Sequence, residues 1–266
     1  MSDTLASADV SAGPSADVSA DVSADVSADV SADFEAGVHV LDRAAWASLT
    51  GPHAHFALGS GRARRYPADV SPFAAVPPVQ DEAVWADLHA LIGPGATVLL
   101  AGDLATPPPG WTIVAQGDGV QLVATAALTT EPDPGAVRLG AADVPEMLDL
   151  VARTKPGPLE PGTYRLGNYL GVRHDGALVA MAGERMHPPG WTEISAVCTD
   201  PGHRGKGLGT RLVRAVAHGI RARGETPFLH AAGDNADAIR LYESLGFALR
   251  RTLPFTVLRS PSTPSA

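Results

Sequence analysis

The sequence predicts a mixed α/β fold with a largely antiparallel sheet, and three observations carry that reading. From Ala136 onward, strand and helix patterns alternate. Asp175-Gly176 lies between two strand-like runs, Asn168–Arg173 and Ala177–Met186, as a hairpin signal. The segment Thr192 to Phe247 then reads strand, glycine-rich loop, long amphipathic helix, strand and a second helix.

The elements follow in order. Ala136–Leu139 reads as a short strand, and Asp143 as the cap of a helix running to about Arg153. After the hairpin comes a strand over Trp191–Thr199. In the helix Leu208–Arg223, Leu208, Leu212, Val213, Val216 and Ile220 share one face, while Arg211, Arg214, His218 and Arg221 face water. Gly224 supplies its stop. A strand around Pro227–Ala231, a helix from Asn235 to Gly246 and strand material over Ala248–Leu258 complete this half.

The N-terminal half is less patterned. Trp46, Trp85, His89 and Leu91 fit short helices, and Thr97–Leu100, Trp111–Ala115 and Val120–Ala124 fit strands. The Pro-rich spacer Thr129–Pro134 marks a break. Three regions are therefore expected: an acidic tail over 1–36, an α/β module over 37–130 and a second α/β domain over 135–266. The tail repeats Ser-Ala-Asp-Val from Ser15 to Val30 and has no aromatic residue before Phe34. A period of four with one Val per repeat cannot build a core, so disorder is expected there.

Charge narrows the function. The chain has 29 acids, 20 bases and a net charge of −9. Eight of those acids lie in residues 1–36 beside no Lys or Arg, leaving 21 acids against 20 bases in the remainder. A basic nucleic-acid footprint is absent. No apolar run reaches membrane-spanning length and no signal-peptide pattern opens the chain. The single cysteine, Cys198, fits a reducing, cytoplasmic setting. Arg far outnumbers Lys, which occurs only at 155 and 206; with abundant Ala, Gly and Pro, this suggests a GC-rich bacterial genome. No metal site is expected.

The chemistry concentrates in Arg204-Gly205-Lys206-Gly207-Leu208-Gly209, which opens directly onto the long helix. Such a turn aims several backbone N–H groups at one spot, and the helix N-terminus adds partial positive charge. Gly205, Gly207 and Gly209 permit positive φ and close approach of phosphate oxygens. That describes a pyrophosphate cradle, although a glycine-rich surface turn would read the same by itself. It is not a P-loop, because no Gly-Lys-Ser/Thr ends it, and its spacing differs from a dinucleotide fingerprint.

The linked pieces Glu193-Ile-Ser-Ala-Val-Cys-Thr199, Arg204–Gly209 and Asn235-Ala-Asp-Ala-Ile-Arg-Leu-Tyr242-Glu-Ser-Leu-Gly-Phe247 together resemble the GNAT superfamily of acyl-CoA-dependent N-acetyltransferases. The resemblance covers about the C-terminal half, and several members carry an N-terminal half that is a degenerate relative of it. It implies acetyl-CoA as cosubstrate, an amine acceptor and direct transfer; it leaves a homodimer open. Residues 204–209 and Thr210 would hold the cofactor, with charge from Arg204 and Lys206. Val197, Cys198 and Thr199 would offer amides freed where the strand splays at a bulge. Cys198 reads as a small buried side chain rather than a nucleophile. Glu193 stands at the position of the general base in histone-type members, with Glu184 in reserve. Tyr242 matches the tyrosine that protonates the departing thiolate. Asn235 would cap its helix and bond the cofactor.

The loop Lys155–Tyr164, with Glu160, lies where members often bind acceptors. His53, His55 and Phe56 with Arg62, Arg64 and Arg65 invite a ligand reading, but ordinary packing in a solvated loop accounts for them. A catalytically silent acyl-CoA-binding module is the alternative class; retention of Glu193 and Tyr242 favours an enzyme.

Overall fold

Strands from both halves of the chain join in one eight-stranded sheet. The computed structural model describes residues 39–262; the repeat and the disorder expected over 1–36 lie outside the described residues. The strands are β1 (Arg64–Arg65), β2 (Ala74–Ala75), β3 (Thr97–Ala101), β4 (Thr112–Ala124), β5 (Val137–Leu139), β6 (Tyr169–His174), β7 (Ala177–Glu184), β8 (Trp191–Thr199), β9 (Thr226–Ala232) and β10 (Phe247–Arg259). The helices are α1 (Ala44–Thr50), α2 (Glu82–Ile92), α3 (Val144–Thr154), α4 (Leu208–Ala222) and α5 (Ala236–Leu245). β1 and β2 form a separate ribbon, and the large sheet runs β3-β10-β4-β9-β8-β7-β6-β5. All its pairings are antiparallel except β8 with β9.

Local chemistry explains the C-terminal order. Asp175 (φ 50°) and Gly176 (φ 84°) form the two-residue turn of the β6–β7 hairpin, whose positive dihedrals match the twist of the flanking strands. The parallel β8–β9 pair needs a crossover, which α4 supplies. Leu212, Val213, Val216, Ala217 and Ile220 of α4 are buried in the central core with Ile194 and Leu229. Each large aliphatic side chain so placed contributes about 1.5–3 kcal/mol. Gly224 ends the helix in the left-handed region at φ 79°.

Three expectations require correction. The spacer near residue 130 does not divide two separately built sheets. β4 lies between β10 and β9, and β3 flanks β10 on the other side. The N-terminal part thus completes the C-terminal sheet instead of forming a second copy of it. Its core is shared as well, since Leu41, Leu49, Val70 and Phe73 cluster with Met186 and Phe228. The spacer and the residues just before it are tied to α4: Arg211 donates to Asp133 (2.8 Å), and Arg221 to the carbonyls of Leu128 (2.7 Å) and Thr125 (2.9 Å).

Next, Trp111–Ala115 and Val120–Ala124 fall in one continuous strand, β4. Polar residues interrupt its pattern because β9 covers only Gly119–Val123, leaving the edge of residues 112–118 to water. Finally, Asp143 precedes α3 without capping its amides. Its carboxylate accepts from Gly140 N (2.9 Å) and pairs with Arg173 (2.6 Å), a partner too distant in sequence to anticipate.

Candidate active site

The cradle is built by two glycines and a helix start. Gly205 and Gly207 adopt φ 75° and 72°, and the space where each Cβ would stand is open. Gly207 precedes α4 with no side chain capping the helix. The first bond into the turn is Arg211 N to Gly207 O (3.1 Å), and among the described residues the amides of Gly205 through Thr210 donate to nothing. Six adjacent donors at the positive end of a helix form a site for an anion. Arg204 turns its Nε to Thr199 O (3.3 Å), and Lys206 forms no ion pair among the described residues.

The neighbouring strands open beside this loop. The parallel β8–β9 pairing ends at Ile194 and Leu229, so β8 runs on alone from that side toward the cradle. Against β7 its register slips between Met181 and Gly183, where Ala196 takes φ 53°. An inserted residue of this kind bends the strand and leaves backbone groups unpaired. Asp200 N donates to Val179 O (2.8 Å), which sets the alternation. Cys198, opposite Met181, presents its amide to β7, while Val197 and Thr199 turn theirs toward the opening. Cys198 therefore departs from the expected trio of free amides. Its thiol is buried, and desolvation pushes it up to about 11.

A cleft of about 430 Å³ lies at this opening, lined by Val197 of β8, His230–Ala232 of β9, Asn235, Ala238 and Tyr242 around α5, Lys155–Pro158, and Phe73, Asp118, Arg185 and Phe255. Asn235 Oδ1 accepts from Ala238 N (3.1 Å), capping α5. Tyr242 is buried, and desolvation pushes its phenol up to about 12, so it carries its proton at neutral pH. Of the loop Lys155–Tyr164, the first four residues line the cleft, whereas Glu160 does not.

Glu193 is not placed as a base. Its side chain is 0% exposed. Arg185 grips both oxygens, through Nε (2.9 Å) and Nη2 (2.6 Å); His230 Nδ1 (2.8 Å) and Met186 N (3.2 Å) complete the shell. Burial opposes the charge, yet the Arg185 fork and His230 hold the carboxyl well below the usual range. A carboxylate so stabilised and shielded is a poor proton acceptor. Its role here is to hold Arg185 and His230 in place. Glu184, the reserve, is also spent: Asn168 N (3.1 Å) and Arg223 Nη2 (3.1 Å) donate to it.

The hydrogen-bond chain assigns His230. Gln121 Oε1 accepts from Arg250 Nη1 (2.7 Å), so the amide nitrogen donates to Leu41 O (2.9 Å) and to His230 Nε2 (3.0 Å). His230 thus carries its proton on Nδ1, toward Glu193. Arg185 and His230 escaped the sequence reading. Arg185 had a legible signal, because it and Glu193 flank the β7–β8 turn and meet across it; His230 had none, since its partners Gln121 and Glu193 come from two other strands, β4 and β8.

Of the His53 cluster, His53 and Phe56 are packed inside, while His55 and Arg62 are exposed. His53 is buried between Tyr66 Oη (3.0 Å) and Leu166 O (3.2 Å). Burial lowers it to about 4.

A strand opened at a bulge, an amide cradle and a tyrosine-lined cleft lie together here, and comparisons with known proteins place the chain among acetyltransferases. A family model described as FR47-like protein matches residues 169–255. The chain is 33% identical over 134 residues to the N-alpha-acetyltransferase RimI of Mycobacterium tuberculosis, covering 45% of this chain and 82% of that one. It is 32% identical over 148 residues to the mycothiol acetyltransferase of Nocardiopsis dassonvillei, covering 52% of this chain and 41% of that relative. The chain thus spans under half the length of that second protein. Among solved structures, an acetyltransferase of the GNAT family from Novosphingobium aromaticivorans superposes with a TM-score of 0.77 at 45% identity, covering 84% of this chain and 99% of that one. A GCN5-related N-acetyltransferase from Kribbella flavida shares the fold, with a TM-score of 0.54 at 20% identity. The chain belongs to the GNAT family of acetyltransferases.

Proposed function

We propose that the protein transfers the acetyl group of acetyl-CoA to a primary amine of a small molecule or peptide, by direct attack in a ternary complex. The observation that carries this reading is the row of unpartnered amides from Gly205 to Thr210, beside an opening that leads to the Tyr242 cleft. In this reading the cradle binds the pyrophosphate, and the Val197 amide polarises the thioester carbonyl. The amine nitrogen attacks the carbonyl carbon, the C–S bond breaks, and the Tyr242 hydroxyl gives its proton to the thiolate. The proton lost by the amine passes to water in the cleft, because Glu193 is sealed behind Arg185 and His230, and a proton from that water restores the Tyr242 phenol. A relative named as an N-alpha-acetyltransferase supports an amine acceptor.

The test is release of CoA thiol from acetyl-CoA in the presence of a panel of primary amines, with acetyl-CoA binding followed by calorimetry. Amine-dependent release supports the reading. Tight binding with no release by any amine would leave a silent acyl-CoA-binding module instead.

A further inference from the structure

Arg185 is buried to more than nine-tenths, yet it lines the cleft and its hydrogen bonds are incompletely used. Nε and Nη2 are directed to Glu193, and among the described residues Nη1 donates to nothing. The guanidinium lies over the Phe73 ring, 5.1 Å from its centroid, and Phe73 lines the same cleft. An arginine fixed by a carboxylate on one side and a ring on its face is pre-organised, so binding with its remaining edge costs little side-chain entropy.

Glu193 cancels Arg185 within the protein, and the exposed Lys155 adds a cation at the cleft rim with no ion pair among the described residues. The one carboxylate lining the cleft, Asp118, is exposed and also unpaired there. The acceptor nitrogen His230 Nε2 is already taken by Gln121 (3.0 Å). The buried wall therefore offers one unspent donor, Arg185 Nη1, while the exposed rim carries one charge of each sign, Lys155 and Asp118. A neutral amine has no use for that arrangement. A ligand with an anionic, acceptor-only group does.

We propose that the acceptor amine carries a carboxylate, bound by Arg185 Nη1 and Lys155 inside the cleft; the substrate class is amino acids. This rests on the acetyl-transfer reading above and names its acceptor. Arg185 is then a specificity residue: it holds the carboxylate while the amine of the same molecule meets the thioester.

The experiment is a panel of amino acids with one to five carbons between amine and carboxylate, each beside its carboxamide, assayed for CoA release. At least one acid should exceed its amide tenfold or more in kcat/KM. Lys155→Met should shrink that preference through the KM of the acid, leaving the KM of acetyl-CoA unchanged. Arg185→Lys, which keeps a cation against Glu193, should raise the KM of the acid by tenfold or more and change the amide little; its melting temperature checks that it folds. Equal rates for acids and amides would overturn the proposal, as would Lys155→Met raising only the KM of acetyl-CoA, which would assign Lys155 to the cosubstrate. Release with no amine of any kind would instead strike the acetyl-transfer reading. In that event calorimetry of the same acids and amides, with CoA bound, still decides the carboxylate subsite: acids binding no better than amides would overturn it.

Discussion

Three side chains in this molecule have measurable signatures. The Tyr242 phenol lines the cleft and forms no hydrogen bond among the described residues. Tyr242→Phe removes only its hydroxyl, so acetyl-CoA affinity should persist while turnover falls roughly tenfold to a hundredfold, the low end of general-acid effects. Steady-state kinetics beside calorimetry checks this; wild-type turnover would remove the proton-donor role. Glu193→Gln should act mainly on stability. It leaves the buried Arg185 charge without its counterion, a loss of about 3–5 kcal/mol, to be read from urea midpoints. His53 sets a pH dependence. Its folded pKa lies at about 4 against an ordinary 6.5, so the unfolded chain binds the extra proton first. Stability is therefore full above pH 6.5 and declines as pH falls toward 4, by at most roughly 3 kcal/mol. The Glu193 contribution behaves as a depressed carboxylate and declines only below about 4.5, its unshifted value. Urea midpoints at intervals from pH 7 to 4.5 should show the His53 slope, and His53→Gln should flatten it.

At the scale of one element, the start of α4 is where backbone conformation bears on the proposed cofactor binding. Gly207 holds φ 72° with open space at its Cβ position. Gly207→Val should strain that turn and put methyl groups where phosphate oxygens approach. Acetyl-CoA affinity should weaken at least tenfold, about 1.4 kcal/mol. Gly224, at φ 79° beyond the other end of the same helix, also faces open space and is the control. Gly224→Val should lower the melting temperature comparably and leave affinity alone. Equal affinity in both variants by calorimetry would remove the cradle assignment.

For the molecule as a whole, the sheet makes the halves inseparable. β10 pairs with β3 and β4 on its two sides, and β9 pairs with β4. A fragment of residues 135–266 would expose both edges of β10, one edge of β9, and the surfaces of Phe228 and Met186 that pack on Leu41, Leu49 and Phe73. Exposed apolar strand edges associate rather than fold. The fragment should be insoluble or lack cooperative melting by circular dichroism, whereas residues 37–266 should melt in one transition.

How much was legible depended on how local each cause is. The β6–β7 hairpin, the strand over Trp191–Thr199, the α4 face and the glycine turn before it are all specified within a few residues, by turn dihedrals and by periods of two and 3.6. They were readable, and so was the tyrosine on the last helix. β4 was misread as two strands because its polar stretch owes its place to β9 ending early, and no neighbour in sequence reports that. Glu193 stands out in the sequence through its place in the family pattern. Its actual state depends on Arg185 across a turn and His230 on another strand, with Gln121 and Arg250 behind that histidine. The sequence by itself determined the α/β class, the order of the C-terminal elements and the glycine turn before α4, since each is set by backbone preference and local periodicity. Only the tertiary structure decided that the two halves share a sheet, that Glu193 is sealed away from solvent and that Arg185 stands in the cleft. Those outcomes come from strand pairing and charge burial between residues far apart in the chain, where desolvation and the partner together set what a side chain can do.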